Sequence, residues 1–169
     1  MTAIRNNPRD ASGDVRRSAL LVALAVAGLV VSGYLAAFQL GVIGSVWDPL
    51  FAGDSERVLT SSLSQALPIP DAALGFLTYA IEATLSAVIA LRPAVPHTLR
   101  LALAGVASLG GLTAIGLMAF QVAVVHALCT LCVVSAVLSI ALAVGAIAAA
   151  RTQGAAGSGQ QHRPEESEP

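Results

Sequence analysis

The chain has no lysine, only two cysteines, and charge on just 11% of its 169 residues. An ordinary soluble domain carries about 25% charged residues, so fewer than half the usual solvating groups are present. With 56% hydrophobic residues and a mean hydropathy of +0.77, that scarcity excludes a soluble globule and equally a disordered chain. The net charge is −1 and all nine basic residues are arginine, which excludes the clustered basic face of a nucleic-acid binder. Two cysteines cannot make a disulfide scaffold. No internal repeat with a period of roughly 20–50 residues is visible, so a solenoid is excluded too.

What the chain does have is long uncharged runs. Residues 18–47 carry no formal charge, and the 26 residues 18–43 are almost all apolar. As a helix those would measure about 39 Å, more than the ~30 Å hydrocarbon core of a bilayer. Residues 72–91 are just long enough to span and contain one carboxylate, Glu82. Residues 101–150 contain no acid and no arginine. A single helix of that length would be roughly 75 Å, so the run must fold back on itself. Gln121 and His126 are its polar interruption, and they place the turn near 125–128. The reading is an all-α, four-transmembrane-helix bundle with spans at about 18–43, 72–91, 101–124 and 128–150. It forms a membrane domain at 18–151 between an N-terminal tail (1–17) and a disordered polar tail (152–169). Gly105, Gly110, Gly111 and Gly116 in the third span let helix backbones approach closely in lipid.

Arginine placement predicts the orientation. Arg5, Arg9, Arg16, Arg17, Arg92, Arg100 and Arg151 all fall on one side of this arrangement. The 44–71 loop instead carries Asp48, Asp54, Glu56 and Asp71 against Arg57 alone. The positive-inside rule then makes both termini cytoplasmic and turns the 44–71 loop and the 125–128 turn outward, in a multi-pass cell-membrane protein. A cleaved signal peptide would need an apolar run of only about 7–15 residues, so the first span is read as retained. A short interfacial helix is expected around 56–66, capping the bundle outside.

Both cysteines sit in one motif, Cys129-Thr130-Leu131-Cys132, placed by this topology in the first turns of the fourth helix at the outer face. Cysteines three apart share a helix face and can close a small disulfide ring. A helix N-terminus stabilises a thiolate, and the outer compartment is oxidising. Redox use is the favoured reading. Packing of two small apolar side chains in a helix interface is the alternative. Cys129, Cys132 and His126 as a metal site is a poor third, because structural zinc takes four ligands and no second pair exists. Cys129, nearer the helix end, is expected to be the thiol reached by alkylating agents. Cys132 lies about one turn deeper, roughly 4.5 Å along the axis.

Together with this topology, the loop segments Ser55-Glu56-Arg57-Val58-Leu59-Thr60-Ser61-Ser62 and Leu67-Pro68-Ile69-Pro70-Asp71-Ala72-Ala73-Leu74-Gly75 resemble the vitamin K epoxide reductase family over roughly residues 18–150. The family shows Cys-x-x-Val-Leu-Ser-Ser, then a proline-containing stretch and Leu-Gly, in these places. The resemblance implies a membrane oxidoreductase that couples thiol oxidation to reduction of a quinone of menaquinone, ubiquinone or vitamin K type. It implies that Cys132 faces the quinone and Cys129 exchanges disulfides with the incoming thiol. It implies quinone-site roles for Ser61, near the redox centre, and for Asp71, where other members carry a quinone-bonding asparagine. Ala136 stands where some members have a tyrosine. The family's loop cysteine pair, which takes electrons from a thioredoxin-like partner, is replaced by Trp47 and Ser55. An external thiol must then reduce the pair directly, a partner must lend the missing cysteines, or the scaffold has left redox work to bind a quinone, lipid or partner subunit. Reduction of vitamin K epoxide itself is a further enzymatic alternative.

Three other groups stand out. Glu82 lies near the midplane of the second span, where a carboxylate is costly, with Thr78, Thr84 or Ser86 as expected partners. His126 could stabilise a thiolate or give a proton to a reduced quinone, or simply sit in a turn. Trp47, Tyr34 and Tyr79 read as interfacial anchors, and Trp47 with Phe51 as a less favoured cover for a quinone pocket.

Overall fold

The computed structural model describes residues 8–51, 54–61, 70–92 and 95–158. In chain order these form α1 (Pro8–Gln39), α2 (Asp54–Leu59), α3 (Asp71–Leu91), α4 (His97–Phe120), a π-helical turn (Gln121–Val125) and α5 (Thr130–Ser158). Four segments are long and apolar enough to cross a membrane: Val15–Gln39, Asp71–Leu91, His97–Val125 and Thr130–Thr152. The chain is an all-helical membrane bundle of four spans.

Local chemistry sets the helix ends, and several differ from the sequence-based boundaries. Residues 8–17, read as tail, already belong to α1, with Pro8 at its first position, where a missing N–H does no harm. That helix stops at Gln39 rather than 43 because Gly41 adopts a left-handed φ of +73°. The N–H groups of Val42 and Ile43 turn back onto the Ala37 carbonyl. Pro70 and Pro96 hold extended backbone (ψ 139° and 142°) immediately before α3 and α4 and so mark where each begins. The loop helix covers Asp54–Leu59, not 56–66; it closes with Thr60 N–H on the Glu56 carbonyl, and 62–69 lie outside the described residues. At the other end α5 continues to Ser158. The alanine-rich run at 146–150 carries the helix on through residues 152–158, which composition had assigned to a disordered tail.

Helix α1 packs on α3 and α5, while α4 packs on α5 and α3. Apolar faces gain little from meeting each other in lipid, so close backbone approach has to hold such helices together. Gly28 of α1 meets the Tyr79 ring of α3 so closely that a Cβ there would overlap it. Gly145 of α5 receives Leu21 of α1, and Gly111 of α4 faces Ala143 of α5.

Among the described residues, buried apolar side chains form two clusters. One, at the arginine-bearing end, joins Leu21, Ala25, Ile89, Leu103, Ala107, Leu142 and Ala146. The other, under the 44–61 loop, joins Leu35, Val46, Val58, Leu59, Ala127 and Cys129.

Candidate functional site

The second cluster carries the cysteines. Helix α4 does not end cleanly at Phe120 but widens into the π turn, and His126 closes it in the left-handed conformation (φ 53°, ψ 34°). Its N–H and that of Ala127 both return to the Gln121 carbonyl. Such π segments recur at functional sites. Here the turn brings the buried Gln121 side chain to the start of α5, where its Oε1 accepts the Cys129 N–H at 3.3 Å.

Cys129 is the N-cap of α5. Its carbonyl accepts the Val133 N–H at 3.0 Å, and its Sγ accepts the Cys132 N–H at 3.2 Å. The sulfur thus occupies the place of the oxygen in a serine or aspartate cap. The neighbouring Cys132 thiol outweighs burial and brings the Cys129 thiol down to about 7, with Ser55 and the N–H groups of Cys132 and Leu131 adding to the effect. Both cysteines are free thiols.

Exposure corrects one expectation. Cys129, expected to be the accessible thiol, is fully buried at 0%, while Cys132 is half-buried. Helix depth alone puts Cys129 nearer the water, but the loop folds over it. Asp48 fastens that cover. Its Oδ1 accepts the Phe51 N–H at 3.1 Å, its Oδ2 accepts the Ser55 N–H at 3.0 Å, and the hydroxyl of Thr130, between the two cysteines, also donates to Oδ1. Burial pushes the Asp48 carboxyl up, but the hydroxyls of Thr130 and Ser55 and the two N–H groups together hold it well below the usual carboxylate range. Val46 N–H on Glu56 and Trp47 N–H on the Tyr34 hydroxyl pin the rest of the loop.

Ser55 is fully buried beside Cys129, and its hydroxyl makes no hydrogen bond of good geometry. Its nearness still lowers the Cys129 pKa. Trp47 is 69% exposed. The two positions that stand in place of the family's loop cysteines therefore lie one against the dithiol and one at the surface.

Cys132 opens on a half-open cavity of about 90 Å³ between α1, α3, α4 and α5. Asp71, Gln121, Ser135 and Ser32 supply polar groups, while Leu117, Met118, Ala114 and Ala136 supply apolar wall. An enclosed cavity of about 150 Å³ holds a benzene ring, so a ring entering here would keep part of its edge in the open mouth. Apolar walls, an open side and a few convergent polar groups fit a quinone ring with a lipophilic tail. Asp71 is held by Gln39, whose Nε2 donates to Asp71 Oδ1 at 2.5 Å and whose Oε1 accepts the Ala72 N–H. Of the three residues implicated in quinone binding, Asp71 alone lines the cavity. Ser61 is half-buried in the turn after α2, and His126 is exposed with its ring on the Val124 carbonyl. Trp47 and Phe51 do not line the cavity either.

Two further residues differ from expectation. Tyr79 is buried rather than interfacial, with its hydroxyl donating to the Ser135 carbonyl and paired with Ser139 Oγ, both at 2.7 Å. The i, i+3 spacing to Glu82 marked its helix face, but only the packing shows that this face points inward. Glu82 is 2% exposed, with Oε2 lacking a hydrogen-bond partner and Oε1 facing Gly110. Thr78 and Thr84 bond back to their own helix, to Leu74 and Ala80, and the buried Ser86 hydroxyl also lacks a partner. Sequence reasoning missed Asp48, Thr130 and Gln39. Their only advance signal was polarity beside an apolar run.

Fold and site together define a membrane helix bundle with a dithiol at the start of its last span, beside a cavity between the helices. The profile of the Vitamin K epoxide reductase family matches residues 19–147, and the chain belongs to that family. It is accordingly a membrane oxidoreductase of the vitamin K epoxide reductase type. No curated protein matches it.

Proposed function

We propose that the protein couples oxidation of an extracytoplasmic thiol to reduction of a membrane quinone, through a Cys129–Cys132 dithiol–disulfide pair. The observation that carries this is the placement of the two sulfurs. One caps a helix under the loop, and the other opens on the cavity. A donor thiolate attacks Cys129 of the disulfide; the S–S bond breaks, a mixed disulfide forms and Cys132 leaves as a thiolate. A second donor thiol attacks the mixed disulfide, forming the donor's own disulfide and releasing Cys129, so two electrons now rest on the pair. A quinone bound in the cavity supplies a two-electron, two-proton acceptor. The pair re-forms its disulfide as it delivers those electrons. Asp71 and Ser135 orient the ring, and the apolar wall excludes water. With Trp47 and Ser55 in place of a cysteine relay, the donor must be an external thiol, such as a thioredoxin-like partner, reaching Cys129 after the loop lifts. The membrane orientation in this reading places both termini in the cytoplasm and the loop outside.

The test is to reduce the purified protein, remove the reductant, add quinone and titrate free thiols. The reading expects loss of two thiols per chain and equivalent quinol formed. Thiols that persist with quinone present, together with an unchanged phenotype for the Cys129→Ala/Cys132→Ala protein, would assign the scaffold to binding alone.

A further inference from the structure

At the end of the bundle opposite the cysteines, a second cavity of about 10 Å³ opens between Arg17 of α1 and Arg100 of α4. Ser18 joins them, and Leu21, Ile89 and Leu103 close its inner wall. Among the described residues no acidic side chain lines it. The Arg100 Nε is buried and has no hydrogen-bond partner. Arg17 is tied to the end of α5 by a 3.4 Å contact from its Nη1 to the Thr152 hydroxyl.

Two arginines line one small space, so their positive potentials add there and favour an anion between them. A buried N–H donor of a charged group left without a partner is costly, so the site is one oxygen atom short of balance. The volume has room for a single water or a single anion oxygen. Guanidinium forks match phosphate oxygens in geometry as well as charge. The cavity lies at the ends of the spans Val15–Gln39, His97–Val125 and Thr130–Thr152, which is headgroup depth in a bilayer. We infer that Arg17 and Arg100 form a phosphate-binding site at this end of the bundle, taking one oxygen of a phosphate group into the cavity with the rest outside. Such a group comes either from an anionic phospholipid headgroup or from free phosphate.

Native mass spectrometry of the purified full chain tests this, with phosphatidylglycerol and inorganic phosphate as probes. Arg100→Lys keeps the charge but removes Nε and the planar fork, and Arg17→Gln removes the second guanidinium. Arg92→Gln removes an equal charge from an exposed position at the same end. Arg100→Lys and Arg17→Gln should each weaken binding of the recognised probe about tenfold, and Arg92→Gln by less than about twofold. Should Arg100→Lys fail to fold, Arg17→Gln, whose side chain is exposed, gives the same comparison. Phosphatidylglycerol that millimolar inorganic phosphate cannot displace identifies the lipid headgroup as the source. Displacement, with phosphate itself showing the arginine dependence, identifies the free ion. Equal weakening by all three variants would reduce the effect to diffuse surface charge, and absence of both probes from the parent protein would eliminate the site; either result overturns the inference.

Discussion

The two ends of the bundle are built on different principles. At the arginine-bearing end, Ala25, Ala107, Ala146 and Leu142 pack with almost no polar atom between them, and the helices hold by close backbone approach. At the loop end, Gln39, Asp48, Gln121 and Thr130 satisfy helix termini and one another around Cys129. The contrast teaches what each end is for. Backbone groups at membrane depth must find internal partners, and regular helix with small residues supplies them without help from side chains. Irregular backbone, such as the π turn and the loop, survives only where side chains supply the missing bonds. Those side chains then also position the thiols.

The largest effect should come from the polar end. Cys129→Ala or Cys132→Ala should abolish quinone-linked thiol oxidation; Cys132→Ala should shift the unfolding midpoint little, while Cys129→Ala, which removes a buried helix cap, should cost about 1 kcal/mol. Residual turnover above a few per cent in either single variant would break the pairing of the two sulfurs. The close backbone packing between the two ends is probed at Gly28, where any added side chain meets Tyr79. Gly28→Leu should destabilise the bundle by about 1–3 kcal/mol, measured as a lower thermal midpoint in detergent. No change there would mean that α1 and α3 separate without penalty, contrary to the packing argument.

Smaller effects sharpen the loop end. Asp48→Ala removes three hydrogen bonds to a partly exposed carboxylate, for which water competes, so the loss stays local to the loop. Lifting of the cover should raise the maleimide labelling rate of Cys129 at least about tenfold and leave Cys132 nearly unchanged. Equal acceleration at both cysteines would point to global loosening instead. The least effect is in pH. The Cys129 thiolate should titrate near 7 with the loop in place, seen by its ultraviolet absorbance. Because this folded-state value is depressed, the associated stability is full above the unfolded value and fades as pH falls through about 7. Ser55→Ala should move the midpoint upward, since one of the groups lowering it is gone. A downward move would contradict the assigned contact.

Some of this was legible in the residues themselves. Charge-free runs longer than a bilayer is thick dictate spans whatever the packing, so four helices and a fold-back near Gln121 follow from solvation alone. Two cysteines three apart share a helix face for the same local reason. Helix ends were less legible, because Gly41 and the alanine-rich stretch before Arg151 act through backbone conformation rather than hydropathy. Tertiary structure alone decided which thiol is buried, since that depends on a loop joined to α5 across 82 positions by the bond between Asp48 and Thr130. It also decided that Asp71 faces the cavity while Ser61 and His126 do not, and that Tyr79 points inward. Hydropathy measures one residue against its solvent; such contacts depend on what another helix places opposite it, and only the assembled bundle supplies that partner.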